Sequence, residues 1–222
     1  STQWTVESFR AIEEQQRRYV LVDRKFLGLP ANFVGSDDIA VGSIATTHLI
    51  QNGCKRIAHV GGRYVSTAVD RLHGYRQALI RAGMAVDEQL IVTRSRSDDA
   101  ADISGYQGMK GLLELPERPD GVFCHNDPMA RGAMRAVIEA GLRIPEDIAI
   151  IGSGNVSYAP DLRVPLSSID QQSELLGEQA ARLALRLMAS KQAPPPEEIL
   201  IRPRLMARAS SLRAGCLAPP KA

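Results

Sequence analysis

The sequence predicts an α/β fold in which parallel sheets are flanked by helices. Three observations carry this. Short apolar runs alternate with stretches of helical periodicity almost throughout. The runs are continuously apolar rather than alternating, as strands buried on both faces are. Polar residues gather just after the runs, where open α/β sheets bind ligands.

The clearest unit spans 121–152. Gly121-Val122-Phe123-Cys124 reads as a strand and His125-Asn126-Asp127-Pro128 as its polar exit. Asp127 is the expected N-cap and Pro128 the first helical residue, where a missing N–H costs nothing. Met129, Ala133, Met134, Val137 and Ile138 recur at helical spacing, and Gly141 stops the helix before a strand at 148–152.

The other elements follow the same logic. A helix is expected over 5–18, then a strand at 19–22 with Asp23 and Arg24 at its exit, and an extended piece at 32–35. Asp37 or Asp38 caps a helix that runs to about Gln51, and Gly53 stops it. A strand at 56–60 ends in Gly61-Gly62, and a helix opens at Ser66 or Thr67 and stops at Gly83. A strand at 90–92 leaves through a long polar exit with Arg94, Arg96, Asp98 and Asp99, before a helix carrying Ile103, Tyr106, Met109 and Leu112. Residues 166–170 are extended, and the longest helix, over 172–190, carries Leu175, Leu176, Ala180, Leu183, Leu187 and Met188. Two short strands at 199–201 and 205–206 follow, and 209–222 lacks periodicity and reads as a disordered tail.

Composition bounds the function. The net charge of +2 is too small to imply nucleic-acid binding by charge alone. The three cysteines and four histidines form no metal or disulfide pattern, which favours a reducing cytoplasm. No signal peptide or membrane-spanning run is evident, although the chain opens without methionine. No nucleotide fingerprint or catalytic constellation appears, so an enzyme is not expected, nor any cofactor.

An ordered set of motifs resembles the effector-binding core of LacI/GalR-type bacterial transcription regulators. It includes Leu21-Val22-Asp23-Arg24, Arg56-Ile57-Ala58-His59-Val60-Gly61-Gly62, Arg71-Leu72-His73-Gly74-Tyr75, His125-Asn126-Asp127-Pro128, Ile144-Pro145-Glu146-Asp147 and Pro165-Leu166-Ser167-Ser168-Ile169-Asp170-Gln171. The resemblance implies a two-lobed periplasmic-binding-protein-like fold with a ligand in the cleft. By analogy, 1–35 and 171–193 form the N-terminal lobe, and 36–170 with 194–208 the C-terminal lobe. The helix-turn-helix, hinge helix and two further βα units that open such proteins are not in these residues, so the first lobe is expected to be incomplete.

The resemblance places Asp23, Arg71 and Asn126 in a sugar site, with Thr67 nearby. Chemistry agrees: Asp23 accepts from hydroxyls, Arg71 offers a fixed fork of donors, and Asn126 both donates and accepts. Asn155, in the loop after the strand at 148–152, completes the candidate set. Two features depart from the family. Gly154 stands where a carboxylate is usual, and the exit at 94–99 has arginines but no aromatic ring. Both suit an anionic effector, such as an acid sugar or sugar phosphate.

Plainer readings stand beside these. Asp23 could be only a turn residue, Arg71 a surface charge, Arg94 and Arg96 a solvated loop face, and Gly61-Gly62 a tight turn. Cys124 and His125 point to opposite faces and are not a catalytic pair. The expected function is therefore a ligand-sensing regulator core that takes a small sugar-like effector. It is expected to work as a homodimer and to reach operator DNA only through the missing N-terminal segment, with no membrane partner. The alternative is a periplasmic sugar-binding protein of an ABC transporter.

Overall fold

The computed structural model describes residues 9, 12, 14, 15, 17–26, 28–62, 65–93, 100–192 and 194–213. The helix expected over 5–18 falls mostly outside them, and Arg94, Arg96, Asp98 and Asp99 fall wholly outside. In chain order the elements are β1 (Val20–Val22), β2 (Asn32–Ser36), α1 (Asp38–Gln51), β3 (Ile57–Gly61), α2 (Ser66–Arg81), β4 (Ile91–Thr93), α3 (Ala101–Leu113), β5 (Gly121–Cys124) and α4 (Asp127–Glu139). Then come β6 (Ala149–Ser153), β7 (Ser167–Asp170), α5 (Ser173–Ala189), β8 (Glu198–Ile201) and β9 (Arg204–Met206). Short 3-10 turns lie at Glu88–Leu90 and Ala159–Asp161.

The chain divides into two compact units. The first comprises Ser1–Asp37 and Gln172–Arg202. Its three-stranded parallel sheet has the order β1-β2-β8. Leu176, Leu183 and Leu187 of α5 form a helical stripe that buries against Val34 and Ile201. Met188, expected in that stripe, is 75% exposed because it lies one residue off the buried line. The family analogy assigned 194–208 to the second lobe. Here Gly35 pairs with Leu200 and Ser36 with Ile201, so β8 belongs to the first unit.

The second unit comprises Asp38–Gln171 and Pro203–Ala222. Its six-stranded sheet has the order β4-β3-β5-β6-β7-β9, parallel except for β9. Strand residues alternate between two cores. Ala58, Val60, Val122, Cys124 and Ile150 face α3 and α4, where Met109, Leu112, Met129 and Val137 cover them. Ile57, Phe123, Ala149, Ile151 and Ile169 face α1 and α2, under Val41, Leu49, Tyr75 and Leu79.

Within each layer the two helices touch backbone to backbone. A Cβ on Gly42 of α1 would lie 2.0 Å from the Arg71 carbonyl oxygen, and one on Gly74 of α2 would lie 2.0 Å from that of Ile39. On the opposite face, Gly105 of α3 and Gly132 of α4 meet the carbonyls of Met129 and Asp102 in the same way, at 2.1 and 1.9 Å.

The end of the described chain is packed, against the expectation of a disordered tail from 209. Ser210 and Ser211 are fully buried. The Ser210 hydroxyl donates to the Ile150 carbonyl (2.6 Å) and accepts from the Ser167 amide (2.8 Å). Ser211 Oγ lies 2.7 Å from His48 Nε2. These side-chain-to-backbone bonds carry no periodicity, so the sequence pattern does not announce them.

The helix contacts give a paired prediction. Gly132→Ala forces backbone apart and is expected to cost about 1–3 kcal/mol in urea unfolding. Gly111→Ala, on α3 with open space around the new Cβ, is expected to be neutral or to stabilise by about 0.5–1 kcal/mol. Equal effects at the two positions would mean that the helices do not meet this closely.

Candidate functional site

In the second unit, β4 lies on one side of β3, while β5, β6 and β7 follow on the other. The connections after β3 and β5 therefore diverge, which leaves a crevice at their carboxyl ends. Gly61 and Gly62 leave β3 there, and His125 and Asn126 leave β5. A Cβ on Gly62 would lie 2.5 Å from the His125 ring, so only glycine lets the two exits pack this closely.

Arg71 reaches this point from α2 and is only 3% exposed. Its Nε donates to Asp38 Oδ1 at 2.7 Å, Nη1 to the His125 carbonyl at 2.6 Å, and Nη2 to Gln171 Oε1 at 2.8 Å. The surface-charge reading is thus excluded by burial. Three of the five guanidinium N–H groups hold protein partners, which leaves two for a ligand. Thr67, 3% exposed, lies one turn earlier on the same face of α2.

Asn126 corrects the expected helix start. It, not Asp127, is the N-cap: its side chain accepts from the Met129 amide at 2.9 Å, and Pro128 falls at the second helical position. Adjacent Asn and Asp are equally good caps by type, so sequence could not choose between them. Capping uses the Asn126 oxygen only. Among the described residues its amide nitrogen has no partner.

Asp127 does something else. It is fully buried, with Oδ1 accepting from the Ser168 hydroxyl at 2.7 Å and Oδ2 from the Val156 amide at 3.0 Å. Burial pushes its carboxyl above the ordinary range, against the pull of these bonds and of the Arg208 charge. A Cβ on Gly152 would lie 2.2 Å from Asp127 Oδ1, so the carboxylate occupies the space that glycine leaves.

Asn155 joins that network. Its amide donates to Ser168 Oγ at 2.9 Å, its Oδ1 accepts from Arg208 Nη2 at 2.7 Å, and its φ is +49°. Its side-chain oxygen is therefore already engaged. Asp23 belongs to the first unit. It follows β1 with φ +69°, its amide donates to the Val34 carbonyl at 3.0 Å, and its half-exposed carboxylate pairs with Arg24 at 3.5 Å. A left-handed aspartate of this kind fits the turn reading.

The structure thus brings Thr67, Arg71 and Asn126 to one strand edge and links Asn155 to it through Ser168 and Asp127. Sequence reasoning missed Asp38, Gln171, Asp127, Ser168 and Arg208 as partners. Each contact is distant in sequence, and Asp38 and Asp127 were accounted for as caps. Cys124 is fully buried, and burial pushes its thiol pKa up, as befits a core residue. Among the described residues no group of three or more His, Cys, Asp or Glu could hold a metal ion. No helix among them is long and apolar enough to cross a membrane.

A buried arginine and a side-chain amide without a partner among the described residues thus stand at the switch point of the second unit's sheet. Residues 46–211 match the periplasmic binding protein-like domain family, and the chain belongs to it. Its relatives are transcription regulators. The HTH-type transcriptional regulator CelR of Thermobifida fusca is 36% identical over 188 residues, which are 83% of this chain and 54% of CelR. The HTH-type transcriptional repressor PurR of Vibrio atlanticus is 37% identical over 151 residues, 68% of this chain and 44% of PurR. The chain therefore spans about half the length of the curated relatives it matches.

Among solved structures, a CelR–cellobiose complex superposes with a TM-score of 0.83 at 33% identity, over 91% of this chain and 62% of that one. A LacI-family regulatory protein from Chloroflexus aggregans gives 0.82 at 29% identity, over 92% and 72%. The fold is that of LacI-family regulator cores.

The Asp127 network predicts a pH effect. The folded state holds the Asp127 proton more readily than the unfolded chain does. Its contribution to stability is therefore greatest below the ordinary value of 3.8 and is lost as pH rises through its raised value. Asp127→Asn should flatten that slope in urea titrations. It should also cost about 1–3 kcal/mol near neutrality, because the asparagine oxygen can serve one of the two donors, Ser168 and Val156, and its NH2 can accept from neither. An unchanged slope would remove Asp127 as its source.

Proposed function

We propose that this chain is the effector-sensing core of a LacI-type transcription regulator. It binds a small sugar or sugar derivative at the carboxyl ends of the second unit's strands. The observation that carries the reading is the buried Arg71 at the switch point, with two guanidinium N–H groups and the Asn126 amide left for a ligand. Thr67 supports them on the same helix face, and Asn155 completes the set within the second unit.

Similarity to a regulator solved with cellobiose makes that disaccharide the first ligand to try. Gly154, where the resemblance expects a carboxylate, makes anionic sugars the second. The regulator works in the cytoplasm as a homodimer and reads operator DNA through a segment beyond these residues. Its core binds rather than catalyses. The curated relatives favour this reading over a transporter's binding protein.

The test is thermal unfolding and calorimetry with cellobiose, glucuronate and glucose 6-phosphate. A ligand at 100 times its Kd should add about 2.7 kcal/mol. Asn126→Ser keeps the cap, so stability should stay within about 0.5 kcal/mol, while the lost amide donor weakens binding about tenfold. Binding that survives Asn126→Ser and Arg71→Lys unchanged would move the site elsewhere.

A further inference from the structure

A cavity of about 250 Å³ opens in the second unit between α2 and the exits of β3 and β4. Ala68, Val69, Leu72, His73 and Arg76 line it from α2. At 100° per residue Val69, Leu72, His73 and Arg76 lie about 120–180° round the helix from Thr67 and Arg71, and Ala68 about 80°. The cavity therefore faces another side of α2 from those two residues, while it shares the β3 exit with the proposed effector site. His59, Gly61, Gly62 and Thr93 line it from β3, β4 and their exits.

His59 is fully buried and stacks between Tyr75 (5.5 Å) and Phe123 (4.9 Å). Its Nδ1 lies 3.1 Å from the Phe123 carbonyl oxygen. A carbonyl only accepts, so Nδ1 carries the proton and Nε2 is a bare acceptor. Among the described residues Nε2 has no partner, and it sits 3.3 Å from where a Gly61 Cβ would be, at the cavity wall. Burial lowers the ring's pKa to about 4, so it stays neutral at pH 7.

Arg76 adds a second demand. Its Nη2 binds both Glu88 carboxylate oxygens at 2.8 Å, which balances its charge, while its buried Nε has no partner among the described residues. The wall therefore offers apolar surface, one unfilled acceptor and one unfilled donor, with no net charge left over. Leaving such groups unpaired costs free energy that a matching ligand recovers.

We propose that this cavity is a second small-molecule site, taking a neutral single-ring compound whose hydroxyl donates to His59 Nε2. The volume suits one ring, being smaller than a drug-sized pocket of about 300–1,000 Å³. A hydroxyl oxygen can also accept from a donor such as Arg76 Nε.

The test is an NMR titration of the ¹⁵N-labelled chain with benzyl alcohol, benzyl methyl ether and toluene. Benzyl alcohol should give saturable shifts at the Gly61, Leu72 and Thr93 amides. The ether and toluene, which cannot donate, should bind about fivefold more weakly, the worth of one hydrogen bond. Val69→Trp, at a 44% exposed position on the cavity rim, should abolish the shifts and leave the rest of the spectrum intact. Asn126→Ser should not affect them, which separates this site from the sugar site. No saturation, equal affinity for the three probes, or binding that survives Val69→Trp would overturn the proposal.

Discussion

The buried Arg71–Asp38 pair, with Nε and Oδ1 2.7 Å apart, organises the second unit. A buried ion pair adds little net stability, since desolvation offsets attraction, but breaking it strands a charge. Its value here is positional. Asp38 is the residue at which the chain enters the second unit and Gln171 the one at which it leaves. Arg71 binds both, and it also binds the β5 exit through His125. The helix contact makes this possible. Gly42 lets α1 approach until its missing Cβ would meet the Arg71 carbonyl at 2.0 Å, which brings the Arg71 backbone within reach of the start of α1.

A second network does for β6 and β7 what Arg71 does for β5. Ser168 Oγ donates to Asp127 and accepts from the Asn155 amide, and Arg208 holds Asn155 and the Leu166 carbonyl. The carboxylate is kept despite burial because its two protein donors replace water. Gly152 makes room for it, and the missing Cβ at Gly62 likewise makes room for His125. Glycine therefore appears at strand ends for packing as well as for turning.

Much of this was legible in the sequence. Continuous apolar strands, helical stripes and the stops at Gly53, Gly83 and Gly141, all with positive φ, fixed the elements to within a residue or two. What periodicity reports is burial, and burial is what those elements share. It does not report which strand pairs with which, so β8 was placed in the wrong unit by analogy. Nor does it report side-chain bonds to distant backbone, so Ser210 and Ser211 read as tail. At the site, residue type and the strand exit pointed to Asn126, while Arg71 was placed there only by the family resemblance. Their orientation depends on Asp38, Gln171 and Met129, and only the fold brings the first two of these to Arg71.

The same geometry explains why occupancy at the switch point would be felt beyond it. A ligand stabilises one arrangement over another only through contacts that differ between them. Arg71 offers such a contact, because the guanidinium that would meet the ligand already holds Asp38 and Gln171. A small shift of that group changes the hydrogen bonds at the points where the chain enters and leaves the second unit. Surface arginines cannot do this, since solvent replaces any partner they lose. Arg71, at 3% exposure, has little solvent to turn to, so a partner it loses is poorly replaced by water.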